Sequence, residues 1–211
     1  LKTEVPVFVG RDRGCAAKSL LSKYPCDVIV LDDGLQHYRL QRDIEVVVID
    51  AKRQHGNGWL LPAGPLREPV QRLEHVHAVL INGDYDADGG FRLEADKVFL
   101  LNKPKTTCEL SDWKGKQVHA IAGIGNPERF FLKLEESGID VIRHAFPDHH
   151  RFSFSDISFN DDLPVLMTEK DATKCYHFDR SDTWVVPVNA SGNKSFVSKI
   201  GSIISQLNTE K

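Results

Sequence analysis

The stretch Val28-Ile29-Val30-Leu31-Asp32-Asp33-Gly34-Leu35-Gln36-His37 decides how this chain is read. Its opening run of apolar residues, mostly β-branched, predicts a fully buried strand of a parallel sheet. Two adjacent carboxylates and a glycine then break the strand. Open α/β sheets bind ligands at the carboxyl ends of their strands, and proteins that move phosphoryl groups hold Mg²⁺ with an Asp placed there. A strand followed by a plain Asp-Gly turn accounts for the same residues. Other parts of the sequence have to separate the two.

Outward from this stretch, Val5–Val9 predicts a short strand and Gly10-Arg11-Asp12-Arg13-Gly14 a turn. Ala16, Ala17, Leu20 and Leu21 fall at helical spacing up to Lys23, and Pro25 stops that helix. Strand–helix–strand in one sheet implies a parallel, right-handed unit. Ile44–Ile49 is a second apolar strand and also ends in a carboxylate, Asp50, which would place both acids on one sheet edge. Gln54–Pro69 is too rich in Gly and Pro for regular structure, and so long a loop in a compact domain tends to be functional. Its Trp59-Leu60-Leu61 is expected to pack back onto the body, the alternative being a greasy ligand. A short helix at Val70–Glu74 and a strand at Ala78–Ile81 follow.

Asn82–Gly90 carries Asp84, Asp86 and Asp88, but its Gly and Glu miss the EF-hand positions, so it predicts a solvated hairpin turn. Phe91–Leu101 reads as an extended pair of strands and Lys103–Lys116 as a polar linker. Beyond it come a strand at Gln117–Ala122, a tight Gly123-Ile124-Gly125 turn and a helix capped by Asn126-Pro127. Strands at Ile139–Phe146, Pro164–Met167 and Thr183–Val188 alternate with helices at Glu169–Tyr176 and Phe196–Leu207. The fold class is therefore α/β. A mostly parallel sheet domain occupies 1–82, a β-strand linker region 83–116, and a second, smaller α/β domain 117–211.

At 211 residues the chain has room for one large domain or two modest ones, and 41% hydrophobic with 27% charged residues is ordinary for a soluble globular protein. A net charge of −3 offers no general attraction to nucleic acid, and no apolar run is long enough to span a bilayer. The four cysteines are scattered without a Cys-x-x-Cys pair, which predicts reduced thiols in a cytosolic setting. The chain begins at Leu1 and its sole methionine is Met167, so further sequence is expected upstream.

Four sets of residues carry chemistry. Asp32 and Asp33 offer oxygen ligands of the kind Mg²⁺ takes, one or two carboxylates at a time. Arg67-Glu68 closes the Gly/Pro loop; the guanidinium suits phosphoryl charge and the carboxylate could add a ligand, against a simple surface ion pair. In Asp148-His149-His150, a histidine oriented by a carboxylate can act as a general base, against a turn cap with exposed imidazoles. Thr168-Glu169-Lys170-Asp171 fits a loose helix capping box.

In order, these motifs resemble the tetraacyldisaccharide 4′-kinase family, the lipid A 4′-kinases of Gram-negative bacteria. The resemblance rests on Leu31-Asp32-Asp33-Gly34-Leu35-Gln36-His37, Val48-Ile49-Asp50, Gly56-Asn57-Gly58 and the long run Leu60-Leu61-Pro62-Ala63-Gly64-Pro65-Leu66-Arg67-Glu68-Pro69. It continues with Phe146-Pro147-Asp148-His149 and Met167-Thr168-Glu169-Lys170-Asp171-Ala172. It implies a P-loop-kinase-like fold of two α/β domains with the active site in the cleft between them. It also implies transfer of the γ-phosphate of ATP, with Mg²⁺, to the 4′-hydroxyl of a tetraacylated glucosamine disaccharide 1-phosphate. By motif, it places Asp32, Asp33 and Glu68 on the metal, Gln36, His37 and Arg67 at the nucleotide phosphates, and Asp33, Arg67 and His149 in catalysis. Work at the cytoplasmic face of the inner membrane, through an N-terminal anchor, is part of the same expectation.

The family's Gly-Lys-Thr phosphate loop, its Gly-Asp-Glu-Pro segment and its anchor do not occur in these residues and would precede Leu1, so the chain is expected not to turn over ATP by itself. Gln54-His55 stands where the family tends to Gly-Phe. The rival readings are a non-catalytic metal- or nucleotide-binding module derived from such a kinase, another small-molecule P-loop kinase, or a phosphatase with Asp32 as nucleophile.

Overall fold

A computed structural model describes residues 5–209. In chain order the elements are α1 (Arg13–Lys23), β1 (Val46–Asp50), β2 (Ala78–Asn82), β3 (Gly90–Glu94), β4 (Lys97–Leu100) and β5 (Lys103–Glu109). They continue with β6 (Gln117–Ala122), α2 (Pro127–Glu136), β7 (Asp140–Ala145), β8 (Val165–Thr168), α3 (Glu169–Cys175), β9 (Thr183–Val186), β10 (Asn189–Gly192) and α4 (Lys194–Thr209). Short 3₁₀ turns occupy Val70–His75, Leu110–Trp113 and Phe154–Ile157. The chain divides into two compact units, Leu1–Arg92 with Ser191–Lys211, and Leu93–Ala190.

The second unit is built on a six-stranded sheet in the order β5-β4-β9-β8-β6-β7. Its β9-β8-β6-β7 portion is parallel, while β4 pairs antiparallel with both β5 and β9. Parallel strands are covered on both faces, and the alternation along β6 and β8 shows it. Val118, Ala120, Ala122 and Leu166 pack with Phe130, Phe131 and Leu134 of α2 on one side. Ile121, Val165 and Met167 pack with Phe152, Ile157, Ala172 and Cys175 on the other. Pro127 opens α2, and Gly138, at φ 81°, lets the chain turn out of it. Phe131 and Leu134 are fully buried, a contribution of about 1.5–3 kcal/mol each.

The first unit holds a four-stranded sheet in the order β1-β2-β3-β10, with β1-β2 and β2-β3 parallel. Three expectations are corrected here. Val5–Val9 and Val28–Leu31 form no strands, and Val9 and Val30 are 91% and 88% exposed. An apolar run reports what a segment would gain by burial, but a strand also needs a neighbour for its N–H and C=O groups, and neither segment joins the free edge of β1. Residues 83–89 are not a hairpin turn, because β2 and β3, which they join, lie parallel. Asn193 holds this loop from the far end of the chain, its side-chain amide donating to the carbonyls of Tyr85 and Ala87.

The third correction concerns the domain limits. The terminal helix α4 belongs to the first unit, and the expected linker strands β4 and β5 are integral to the second unit's sheet. The reason lies in α4's contacts. Lys199 pairs with Asp88 at 2.8 Å, Ser195 bonds the same carboxylate, and Phe196 meets the Phe91 ring at 5.2 Å between centroids.

Candidate functional site

In the first unit, the turn after residue 31 places Asp33 at φ 48°, a left-handed conformation that costs an L-residue energy unless its surroundings hold it. They do. Arg67 Nη1 donates to both Asp33 carboxylate oxygens, at 2.9 and 3.0 Å, and to Gln36 Oε1 at 3.2 Å. Gln36 Nε2 in turn donates to Glu68 Oε1 at 2.7 Å, and Arg72 Nε lies 3.4 Å from Glu68 Oε2. Behind them, Glu45 accepts from Arg72 at 2.5 Å and from Arg42 at 2.8 Å, and these two arginines hold its carboxyl below the usual range against burial. The result is a ladder of alternating charge, with the Asp33–Arg67 pair at its exposed end.

The Gly/Pro loop that carries Arg67 is folded on itself. Asn57 bonds the Ala63 carbonyl and the Trp59 amide, the Leu61 amide donates to the Leu66 carbonyl, and the Leu66 amide donates to the Trp59 carbonyl. A β-carbon on Gly64 would collide with Asn57 and with the Trp59 backbone, so only glycine fits there. These bonds hold the tip of the loop together without burying its apolar residues. Trp59 and Leu61 stand 66% and 62% exposed, correcting the expectation that they pack back.

The second unit carries the Asp148-His149-His150 turn at the carboxyl end of β7, closed by the His150 amide donating to the Pro147 carbonyl at 3.0 Å. The two histidines diverge. His150 stacks on Phe146 and reaches Asp156 Oδ2 at 3.2 Å, which makes it structural. His149 is 78% exposed and sits at φ 61°. Asp148 Oδ1 accepts the His149 amide at 3.0 Å and the Lys170 ammonium at 2.7 Å. The Lys170 hydrogen bond keeps Asp148 below the ordinary carboxylate range. Thr168 and Asp171 do form the cap of α3, and the buried Asp171 carboxylate also accepts the Gly123 amide at 2.8 Å.

Asp33, Gln36, Arg67 and Glu68 are thus brought together, while His37 lies in the same turn, its amide donating to the Gly34 carbonyl. His37 and Arg39 line a cavity of about 400 Å³ with Arg11, Asp12, Gly14 and Leu40. Asp32, Asp33 and Glu68 do not make a ready metal set. No group of three His, Cys, Asp or Glu side chains among the described residues is arranged to hold an ion. Asp33 and Glu68 are engaged by arginines, and the exposed Asp32 carboxylate alone makes no hydrogen bond within the described residues. As arranged, Asp33 and Glu68 turn their carboxylates to arginines rather than to a shared cation.

Comparison with known proteins bears on the same motifs. The family model described as tetraacyldisaccharide-1-P 4′-kinase, LpxK, matches residues 1–205. This chain belongs to the tetraacyldisaccharide 4′-kinase family. The enzyme of that name from Methylobacillus flagellatus is 47% identical over 209 residues, covering 98% of this chain and 62% of the relative. The one from an Azoarcus species is 51% identical over 200 residues, covering 89% and 58%. The chain therefore spans about three-fifths of the length of the relatives it matches. Among solved structures, the LpxK of Aquifex aeolicus, in complex with ATP, superposes with a TM-score of 0.59 at 24% identity, covering 82% of this chain and 55% of that one. That likeness shows the α/β fold.

Within this kinase-family chain, sequence reasoning missed Arg72, Glu45 and Arg42, which support the Asp33–Arg67 pair from behind. The spacing of Glu68 to Arg72, one helical turn, was the available signal. It also missed a chain in the second unit that runs from the half-buried His144 through the buried His119 to the exposed Asp161. His119 Nδ1 lies 2.9 Å from His144 Nε2, His119 Nε2 lies 3.0 Å from Asp161, and Phe159 stacks on both rings. Nothing in the local sequence joins these residues.

Proposed function

We propose that this chain forms part of an enzyme that transfers the γ-phosphoryl group of ATP to the 4′-hydroxyl of tetraacyldisaccharide 1-phosphate. The observation that carries the reading is the Asp33–Arg67 pair. Arg67 spends one terminal nitrogen on Asp33 and Gln36 and is 56% exposed, so its remaining N–H groups face solvent. A guanidinium held rigid at one corner and open at the other suits a phosphate oxygen. Phosphoryl transfer needs chiefly positioning and charge stabilisation, which a fixed Arg supplies without reorganising. His149, exposed beside the Asp148 carboxylate, would receive the proton of the acceptor hydroxyl.

Three further points support the reading. The family is shown, its Aquifex aeolicus member was solved in complex with ATP, and the exposed Trp59-Leu60-Leu61 edge precedes Arg67 in one loop, where an acylated acceptor would find apolar surface. The proposed setting is the cytoplasmic face of the inner membrane. The described residues contain no helix long and apolar enough to cross it.

The test is transfer of labelled γ-phosphate to tetraacyldisaccharide 1-phosphate. The 211 residues contain no Gly-x-x-x-x-Gly-Lys-Thr loop, so the chain alone is expected to give no product. Fused to a phosphate-loop segment from a relative, it is expected to give product, and Arg67→Ala in that fusion to lose about 10²–10³-fold in kcat. Product from the chain alone would remove the need for the added loop. Undiminished activity of the Arg67→Ala fusion would overturn the assignment of Arg67.

A further inference from the structure

Lys170 lies in the motif that sequence reasoning assigned to a helix cap, yet it takes no part in the cap. Thr168 and Asp171 make the cap between themselves, Thr168 Oγ1 accepting the Asp171 amide at 3.1 Å and donating to Asp171 Oδ2 at 2.7 Å. Asp171 is fully buried, and it also bonds the Gly123 amide at the end of β6 and the Lys174 ammonium at 3.0 Å. The first turn of α3 is thereby locked to the carboxyl ends of two central strands. Lys170 projects from that locked turn and reaches a different strand end, where it meets Asp148 at 2.7 Å.

At the receiving end, one carboxylate does two jobs. Asp148 Oδ1 takes the Lys170 ammonium and also the His149 backbone amide, while Oδ2 stands 3.6 Å from His149 Nε2. His149 holds φ 61°, a region where glycine would sit without strain. A bulky residue persists there when its surroundings over-determine it, and such residues gather where function needs them. The half-exposed Lys170 is the anchor that keeps the Asp148 carboxylate under the His149 amide.

We propose that Lys170 is a positioning residue for His149, acting through Asp148. Its catalytic consequence rests on the reading of His149 given above, whereas the positioning itself does not. Two arms of one experiment keep them apart. In this chain, amide hydrogen exchange followed by NMR is expected to speed up at His149 by about tenfold or more in Lys170→Ala, with the β6 amides unchanged and Lys170→Arg restoring protection. The Asp148 carboxyl resonance is expected to titrate higher in Lys170→Ala than in the parent. In the active fusion, Lys170→Ala is expected to lower kcat about tenfold while KM for ATP holds, again with rescue by arginine. Unchanged His149 exchange in Lys170→Ala would overturn the proposal and leave a plain surface ion pair. Faster exchange with unchanged kcat would uphold the positioning and overturn the role of His149.

Discussion

Asp33 and His149 are two of the three non-glycine residues with positive φ among the described residues, the third being Gln54. Both lie in motifs that sequence alone marked for chemistry. Strain at a position where glycine would be easier is a physical statement that the side chain matters more than the local backbone. His149→Gly separates the two. The urea midpoint is expected to hold or rise, since glycine adopts φ 61° freely, while phosphotransfer by the active fusion falls about 10²–10⁴-fold. A parallel loss of stability and activity would show that the imidazole is only part of the turn's structure. Cysteine behaviour is also decided residue by residue. Burial pushes the Cys175 thiol up to about 12, whereas Cys15 and Cys26 are exposed. Iodoacetamide at pH 8 is expected to label Cys15 and Cys26 and to spare Cys175 until the chain is unfolded, as peptide mass spectrometry would show.

Among the elements, α3 shows how a short helix acquires a fixed place. Its seven residues are too few to be stable alone. Asp171 compensates by tying the first turn to β6 through Gly123. Asp171→Ala would leave the Gly123 amide and the Thr168 hydroxyl without their acceptor and Lys174 without its partner, so a loss of about 2–4 kcal/mol is expected in urea unfolding. Asp171→Asn keeps an acceptor and is expected to lose less. The Gly56–Pro69 loop is the opposite case, an element stable through its own hydrogen bonds that leaves its apolar residues outside. If that edge meets acyl chains, Trp59→Ala is expected to raise KM for the lipid acceptor several-fold and leave KM for ATP alone. An equal rise in both would point to a collapsed loop instead.

For the whole molecule, the titrating groups predict stability that falls in two stages on acidification. Burial, with His119 beside it, keeps the His144 imidazole below its ordinary value of 6.5, so the unfolded chain takes up that proton first. Stability therefore declines as pH drops below 6.5. The second stage comes from Glu45, Glu135, Asp148, Asp156 and Asp161, all held below the ordinary carboxylate range by hydrogen bonds. Their contributions are present above the unfolded values near 4 and vanish as pH falls through the depressed folded ones. Urea midpoints measured from pH 8 to pH 3 are expected to show both stages, and His144→Gln to flatten the first. A midpoint independent of pH between 7 and 5 would contradict the burial of His144.

What was legible in the sequence follows from how far each signal reaches. The second unit's strands and helices could be placed because period, helix start and glycine stop are local, as with Pro127 opening α2 and Gly138 closing it, although Asn126 stands at the expected cap position without a side-chain bond to the helix. The family was legible in Leu60–Pro69 and its companion motifs. Local pattern misplaced Val28–Leu31, whose apolar run speaks of burial without supplying a neighbouring strand. It also assigned α4 to the wrong unit, since Lys199, Ser195 and Phe196 find their partners about a hundred residues earlier. By itself, then, the sequence determined the fold class and the kinship. Only the tertiary structure decided that Arg67 pairs with Asp33, that His149 faces outward while His150 does not, and that Lys170 stands behind the turn. Those pairings depend on distances between segments far apart in the chain, and no local spacing records them.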